Sequence, residues 1–277
     1  MCKNLKVILG IDIGSTAIKI VAVGEQAQII AKVKAETGDR LVSMYGALGK
    51  LLHEQGLGYN DIEKIALTGA GASWFEDDKI HGVAVTKVQE AVAVGGGAMA
   101  LSGTKEALTM NIGTGTVFVH AKEGAAVHVG GSGLGGATLV GLSSKILGEA
   151  NVKRISEMAS EGDLKKIDLL MGDVYNMNFS FLPPEASAAN FGKMASDARD
   201  SDIALGLLSM IYQVLGVMAS LAASGRGCKT IVVTGALAEL KEARHVLPLV
   251  GGLYDTEFVF CENAVYATAY GAAVEII

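Results

Sequence analysis

The stretch LKVILGIDIGSTAIKIVAVGE, residues 5–25, consists of two apolar runs joined by the residues Gly-Ser-Thr. β-Branched residues dominate both runs, and a glycine between two such runs is typical of a hairpin turn. The pattern therefore predicts strands over residues 6–13 and 17–23, with Gly14 at the bend.

A similar arrangement occurs a second time around NIGTGT, residues 111–116, where strands are predicted over residues 108–112 and 117–121. Two strand–glycine turn–strand units indicate two related halves, and we place the boundary between them near residue 105. This gives domains 1–105 and 106–277 in an α/β protein. The other predicted strands cover residues 28–34, 62–67, 230–234 and 258–261, and the predicted helices cover residues 41–54, 88–101, 138–147, 203–223, 237–243 and 264–274.

The amino-acid composition and the net charge limit the kinds of molecule that the protein is expected to bind. Half of the 277 residues are apolar, with 36 Gly and 3 Pro, which suits buried strands and tight turns. The net charge is −6 and no dense run of Lys or Arg is present, so neither a nucleic-acid nor an anionic-membrane partner is expected.

Cys2, Cys228 and Cys261 are too scattered for a disulfide framework. The apolar stretch from Val7 to Val23 contains Asp12 and Lys19, unlike the apolar region of a signal peptide, and a cytoplasmic protein is expected.

Residues 203–223 contain no charged side chain and are long enough to cross a bilayer. The segment is nevertheless interrupted by Ser209, Gln213 and Ser220, and the rest of the chain is rich in the turns of a soluble enzyme. A helix that is apolar all round is buried somewhere. We therefore predict a helix in the core or in a subunit interface, with a membrane span as the weaker alternative.

The first glycine turn carries candidate phosphate ligands. Asp12 ends a strand and is followed by Gly14, Ser15 and Thr16, whose backbone N–H groups can bind phosphate oxygens. The Asp12 carboxylate could bind Mg²⁺, which prefers one or two carboxylates together with phosphates and water. Lys19 on the returning strand could add a positive charge. The alternative is an ordinary hairpin in which the aspartate caps the turn and no phosphate binds.

The second turn, Gly113-Thr114-Gly115, repeats this pattern, and two such turns facing each other could hold a polyphosphate from both sides. A second hairpin in a glycine-rich protein is the alternative, but the pair together favours phosphate binding. The glycine-rich residues 129–137 open a helix and match neither a Rossmann fingerprint nor a P-loop. They indicate a loop that binds substrate or phosphate at a helix N-terminus.

Glu90 begins an otherwise apolar helix. Burial there would raise the pKa of its carboxyl group and make it a plausible base for a hydroxyl proton. From the residues alone, the favourable interaction of a first-turn glutamate with the helix dipole is the better explanation.

The order of these motifs resembles the type II pantothenate kinases, members of the sugar-kinase and actin-like ATPase superfamily. The similarity extends from about residue 7 to residue 275, and its most specific parts are the glycine-rich loop and residues 186–194. The matching motifs are GIDIGSTAIKIV (10–21), LTGAGA (67–72), NIGTGT (111–116), VGGSGLGGATLVGL (129–142), ASAANFGKM (186–194), IVVTGALAE (231–239) and ENAVYATAYGA (262–272).

The resemblance implies two duplicated ribonuclease-H-like domains with ATP in the cleft between them, and a homodimer built on the helix at residues 203–223. It also implies phosphorylation of the primary hydroxyl of pantothenate with ATP and Mg²⁺, the entry to coenzyme A synthesis. Glu90 would be the catalytic base and Asp12 the magnesium-side carboxylate. The remaining implied contacts are phosphates at Gly14, Ser15, Thr16, Gly113, Thr114 and Gly115, the nucleoside at Gly235, and pantothenate at Gly130 and Gly131.

The sequence departs from this family pattern at two places. His128 stands where the family usually has an arginine that grips the substrate, and histidine lacks the arginine fork of five donors. Ala91-Val92 follow Glu90, where the family tends to have an aromatic or aliphatic residue and then aspartate. A kinase for another small hydroxylated substrate is therefore a second hypothesis.

Two further hypotheses remain open. One is an ATPase resembling the activators of 2-hydroxyacyl-CoA dehydratases, which share the superfamily fold and hold an iron–sulfur cluster through paired cysteines. Cys228 and Cys261 are the interior candidates for such ligands, although their surroundings do not resemble that family's motifs. The other is a regulatory relative that binds a nucleotide or a CoA thioester without turnover.

Overall fold

Two large β-sheets, one two-stranded sheet and the helices around them make up the fold in a computed structural model of the protein, which describes residues 6–175 and 183–277. The strands are β1 Val7–Ile13, β2 Ala17–Val23, β3 Ile29–Glu36, β4 Ile62–Thr68, β5 Lys79–Ile80, β6 Val83–Lys87, β7 Glu106–Ile112, β8 Thr116–Lys122, β9 Ala125–Ser132, β10 Leu169–Leu170, β11 Ser187–Ala189, β12 Thr230–Thr234 and β13 Glu257–Phe260. The helices are α1 Arg40–Gln55, α2 Glu90–Ser102, α3 Gly136–Ile146, α4 Val152–Ala159, α5 Met171–Val174, α6 Asp200–Ser224, α7 Lys241–Tyr254 and α8 Ala267–Glu275.

The two large sheets repeat one topology. The first has the order β3-β2-β1-β4-β6-β5, and the second has the order β9-β8-β7-β12-β13 when read in the same direction. In each sheet a hairpin is antiparallel, β1 with β2 and β7 with β8, and the first strand of the hairpin is parallel to a later strand, β4 or β12. The predicted α/β fold with two duplicated halves is confirmed.

Helices α2 and α8 lie between the two sheets and pack against each other. Helix α2 contacts the second sheet, whereas α8, which comes from the end of the chain, contacts β1, β2 and β4 of the first sheet. Glycines permit this close packing: a Cβ on Gly97 would lie 1.9 Å from the Ala267 carbonyl oxygen, and one on Gly10 would lie 1.9 Å from that of Ala269. Helix α8 lies at the far end of the chain but packs against the first sheet, so the two halves are not contiguous in sequence. The predicted domain boundary near residue 105 remains a prediction.

Helix α6 is a core element of the second half, as predicted. Its inner face contacts α4, α7 and the second sheet, and 61% of its most apolar stretch is buried within the fold. Among the described residues it is the one helix that is long and apolar enough to cross a membrane. The extensive burial supports its interpretation as a core helix.

Most predicted elements are present, with shifts of one to three residues at their ends. One helix prediction was wrong: residues 237–240 form a turn, and α7 begins only at Lys241. The glycine-rich loop also begins later than predicted, because Gly130 and Gly131 belong to β9. Cys2 lies outside the described residues.

Candidate active site

Asp12 lies near the carboxyl end of β1 and is buried. The register places Lys19 of β2 directly opposite, and its Nζ donates a hydrogen bond of 2.9 Å to Asp12 Oδ2. Gly69, with a φ of 89°, passes so close that a Cβ there would lie 2.4 Å from Asp12 Oδ1. Within residues 6–175 and 183–277, Oδ1 accepts no hydrogen bond. This free carboxylate oxygen fits a single-carboxylate Mg²⁺ site completed by phosphate and water oxygens.

The two glycine turns meet across the cleft between the sheets. Ser15 Oγ lies 2.9 Å from Thr114 Oγ1, and Thr16 Oγ1 lies 3.0 Å from the same atom. The structure therefore brings together the two turns that the sequence predicts as phosphate-binding loops.

Not every amide of these turns is available to a ligand. Gly14 N–H donates to the Ala17 carbonyl at 3.1 Å, and Gly113 N–H donates to the Gly115 carbonyl at 2.8 Å. In the part of the chain that the structure describes, the N–H groups of Ser15, Thr16, Thr114 and Gly115 have no protein acceptor. These four amides are therefore the ones that can bind phosphate oxygens.

The glycine-rich loop before α3 supports the second turn. Gly136 N–H donates to the Gly113 carbonyl at 2.8 Å, and Ala137 N–H donates to the Thr114 carbonyl at 3.0 Å. A Cβ on Gly135 would lie 2.7 Å from the Thr114 carbonyl oxygen. The first amides of α3 thus bind backbone carbonyls, and the expectation that this helix end binds a free anion is wrong for these two groups.

Glu90 is the first residue of α2, and it is exposed to solvent. The neighbouring protein reduces the water around the carboxyl group and so raises its pKa, and the carboxylate of Asp12 raises it further. The positive charges of Lys19 and His128 act in the opposite direction. Glu90 is therefore electrostatically coupled to both candidate sites, and a raised pKa suits a carboxylate that must accept a proton.

His128, Gly130 and Gly131 follow one another on β9. Ala126, two residues before His128, lies on the face of β9 that packs against Gly95 of α2, so alternation along the strand places His128 on that face as well. A Cβ on Gly131 would lie 2.9 Å from the Thr116 carbonyl oxygen, whereas no atom lies within 4 Å of one on Gly130. A side chain at position 131 would therefore collide with the neighbouring strand, whereas position 130 has no such restriction.

Gly235 connects the loop after β12 to the second turn. Its φ is 91°, and a Cβ there would lie 2.5 Å from the carbonyl oxygen of Ile112, the residue before Gly113. Its N–H donates to the Ala264 carbonyl at 3.0 Å. The predicted nucleoside and phosphate loops are therefore in direct backbone contact.

Sequence reasoning did not identify Thr68, which ends β4 directly opposite Asp12. Its hydroxyl group is buried and has no partner among the described residues. The motif LTGAGA could have indicated Thr68, because this threonine ends β4. The carboxyl ends of the parallel strands β1 and β4 must lie at the same edge of the sheet, which places Thr68 beside Asp12.

Residues 104–247, more than half of the 277-residue chain, match the Fumble family. The chain belongs to the Fumble family. The match extends from β7 into α7 and so includes the second glycine turn, the glycine-rich loop and helix α6.

Curated relatives of this Fumble-family chain include a type II pantothenate kinase of Bacillus cereus, 24% identical over 95% of this chain and 96% of the relative. Another, from Oceanobacillus iheyensis, is 29% identical over 60% of this chain and 63% of the relative. Both are similar in sequence to this chain, and the first is similar over nearly the whole of it.

Solved structures share the fold. The (R)-2-hydroxyglutaryl-CoA dehydratase component A of Acidaminococcus fermentans has a TM-score of 0.70 and 20% identity, covering 98% of this chain and 97% of that one. A ROK family glucokinase of Streptomyces griseus, in complex with glucose and AMPPNP, has a TM-score of 0.61 and 16% identity, covering 97% and 98%. At these identities the similarity establishes the fold alone.

Proposed function

We propose that the protein transfers the γ-phosphoryl group of ATP to the primary hydroxyl of pantothenate, the first step of coenzyme A biosynthesis. One observation carries the proposal: Glu90 follows β6, whose carboxyl end lies at the same sheet edge as Asp12, and the helix that it begins packs against β9. The effects of Asp12, Lys19 and His128 on the pKa of Glu90 agree with this placement. A base thus lies between a candidate phosphate site and a candidate acceptor site. The sequence relatives called type II pantothenate kinases support pantothenate as the acceptor.

In this mechanism the acceptor hydroxyl gives its proton to Glu90 as its oxygen attacks the γ-phosphorus in line with the departing ADP oxygen. The free amides of Ser15, Thr16, Thr114 and Gly115 bind the phosphate oxygens and fix their orientation. Asp12 would hold Mg²⁺, which, when bound, neutralises charge on the β- and γ-phosphates.

A kinase for another small hydroxylated acceptor is the second candidate, and His128 is the observation that favours it. His128 is exposed on β9, and a single imidazole cannot form the two parallel hydrogen bonds that arginine offers to a carboxylate. The acceptor carboxylate of pantothenate would therefore be held less firmly here than by an arginine.

The dehydratase-activator hypothesis agrees with the fold but not with the cysteines. Cys228 precedes β12 and Cys261 follows β13, and these strands are parallel with Thr230 opposite Glu257. The two thiols therefore lie at opposite ends of the sheet, roughly 15 Å or more apart. Two cysteines of one subunit so placed cannot bind the same iron–sulfur cluster.

The deciding experiment is an ADP-release assay with MgATP and a panel of acceptors that includes pantothenate and simple sugars. We expect turnover with pantothenate and much less with the sugars, confirmed by mass spectrometry of phosphopantothenate. Turnover with a different acceptor alone would favour the second candidate. Absence of turnover with every acceptor, together with retained nucleotide binding, would favour a regulatory relative.

The proposal includes a homodimer that buries the outer faces of α6 and α7. Large apolar side chains are exposed there, with Leu221 58% and Leu249 61% accessible. The two helices pack side by side, since Gly216 of α6 contacts Leu247 and Val250 of α7, so their outer faces form one surface. A continuous apolar face of this kind is typical of a subunit interface.

The division into domains 1–105 and 106–277 and a cytoplasmic location are also part of the proposal. Residues 7–23 form the hairpin β1–β2 inside the first sheet, with Asp12 and Lys19 paired within it. A stretch with this place in the folded sheet supports the proposed location.

A further inference from the structure

Tyr212 is the largest fully buried side chain of helix α6, and among the described residues its hydroxyl group makes one hydrogen bond outside that helix. Its Oη donates a hydrogen bond of 2.8 Å to the carbonyl of Leu237, in the turn between β12 and α7. Burial, and then the carboxylate of Glu242, raise the pKa of the phenol well above its ordinary value of 10. The hydroxyl group therefore remains a donor throughout the working pH range.

Leu237 is the residue at which the two nucleotide-facing loops meet. Its N–H donates to the carbonyl of Ile112 at 3.3 Å, and Ile112 immediately precedes the second glycine turn. Leu237 also lies two residues after Gly235, which contacts the backbone of Ile112 directly. The Leu237 carbonyl, which accepts the hydrogen bond from Tyr212, therefore lies next to the nucleoside loop. The N–H of the same residue connects it, through Ile112, to the phosphate loop.

We propose that Tyr212 is a positioning residue for the nucleotide, acting through Leu237 on the loop that contains Gly235 and on the turn at residues 113–115. The inference rests on the proposed function, since it assumes that this cleft binds ATP. Without the phenol hydroxyl, the Leu237 carbonyl would keep only the long hydrogen bond of 3.4 Å from the Leu240 N–H. The turn would then shift or admit water to replace the lost bond. The loops would then be less well ordered for ATP, while the acceptor side on β9 would keep its geometry.

The chain offers a matched control for this hydroxyl group. Tyr270 of α8 is also buried, and its Oη donates a hydrogen bond of the same length, 2.8 Å, to the carbonyl of Ala27. That bond lies between α8 and the β2–β3 connection, at the end of β2 opposite the first glycine turn. Tyr212→Phe and Tyr270→Phe therefore remove the same atom and the same type of bond, one beside the nucleotide loops and one away from them.

The test compares both variants with the wild type by thermal unfolding, by titration with a fluorescent ATP analogue, and by steady-state kinetics. We expect Tyr212→Phe to raise the Kd of the analogue and the KM for ATP by about 5- to 30-fold, with the KM for pantothenate and kcat changed by less than about 2-fold. Tyr270→Phe should lower the Tm by a similar amount and leave both nucleotide constants unchanged.

If Tyr212→Phe lowers only the Tm, or if Tyr270→Phe weakens ATP equally, the residue is structural and the inference is wrong. A wild-type protein that does not bind the ATP analogue would instead overturn the proposed function, and this inference with it. These results are distinguishable because the wild-type titration is independent of both variants.

Discussion

The hydroxyl oxygens of Ser15 and Thr114 lie 2.9 Å apart although 99 residues separate them in the chain. Thr16 also reaches Thr114, so three hydroxyl groups connect the two halves at the point where their glycine turns face each other. Neutral hydroxyl pairs are weaker than the charge-assisted bonds that the same groups would form with phosphate oxygens. Binding of a polyphosphate between the turns should therefore replace this contact.

This replacement can be tested by cross-linking. In a Ser15→Cys/Thr114→Cys variant, we expect a disulfide between the two turns to form under mild oxidation without nucleotide. MgATP at about 100 times its Kd should slow the reaction about 100-fold, because only the unbound fraction can react. The measurement is the mass of the protein after alkylation, with each single-cysteine variant as a control. A rate that is indifferent to MgATP would mean that the nucleotide does not lie between the turns.

Glu90→Gln tests the proposed base. Glutamine keeps the size of the side chain but cannot accept the proton, so kcat should fall by about 10²- to 10⁴-fold while the Kd for ATP stays nearly constant. Glu54→Gln, which changes an exposed glutamate at the end of α1, is the matched control and should retain wild-type kinetics. Normal turnover by Glu90→Gln would remove this residue from the mechanism.

The pH dependence of kcat/KM should show the raised pKa of Glu90. The base must be ionised, so activity should fall as the pH decreases through a value above 4.5, the ordinary pKa of the group. His128, when protonated, lowers the pKa of Glu90. The acid limb should therefore lie at the highest pH in His128→Gln, lower in the wild type and lowest in His128→Arg. The reverse order would contradict the coupling between the two residues.

The local parts of this site could be predicted from the sequence because short patterns determine them. The alternation around Gly14 and Gly113 was sufficient to predict both hairpins, and the apolar helix α6 was predicted from its composition. Asp12 could be assigned to a strand end because it directly precedes a glycine turn.

Contacts between distant segments could not be predicted in this way. Leu237 and Ala238 resemble the start of a helix, but hydrogen bonds to Ile112 and Tyr212 hold this segment as a turn. The N-terminal amides of α3 resemble an anion site, but the carbonyls of Gly113 and Thr114 occupy them. In both cases a tertiary hydrogen bond overrides the local preference.

Helix α2 contains three consecutive glycines, residues 95–97, although glycine disfavours a helix interior. Gly97 lies against the Ala267 carbonyl of α8, whereas Gly96 has no atom within 4 Å of an added Cβ. Gly96→Ala should therefore raise the free energy of unfolding by about 0.5–1 kcal/mol through helix propensity. Gly97→Ala should lower it by about 2 kcal/mol or more, because α2 and α8 must move apart.

Urea unfolding of the two alanine variants measures this difference directly, and the adjacent positions make each the control for the other. Because Glu90 begins the same helix, Gly97→Ala should also lower kcat, whereas Gly96→Ala should not. Equal stability of the two variants would mean that α2 and α8 do not pack as closely as the glycines indicate.

The outer face of α6 gives the last prediction. In a two-fold symmetric dimer, each substitution at the interface is present twice. The free-energy cost of one buried charge per subunit therefore counts twice in the free energy of dimerisation. Leu221→Glu should therefore weaken dimerisation by about 10²-fold or more, since a carboxylate without a partner in an apolar interface costs several kcal/mol. Val42→Glu, at a 71% exposed apolar position on α1 of the other half, is the control and should leave the molecular mass unchanged. Sedimentation analysis over a range of concentrations measures both, and a wild-type protein that is monomeric at every concentration would contradict the proposed interface.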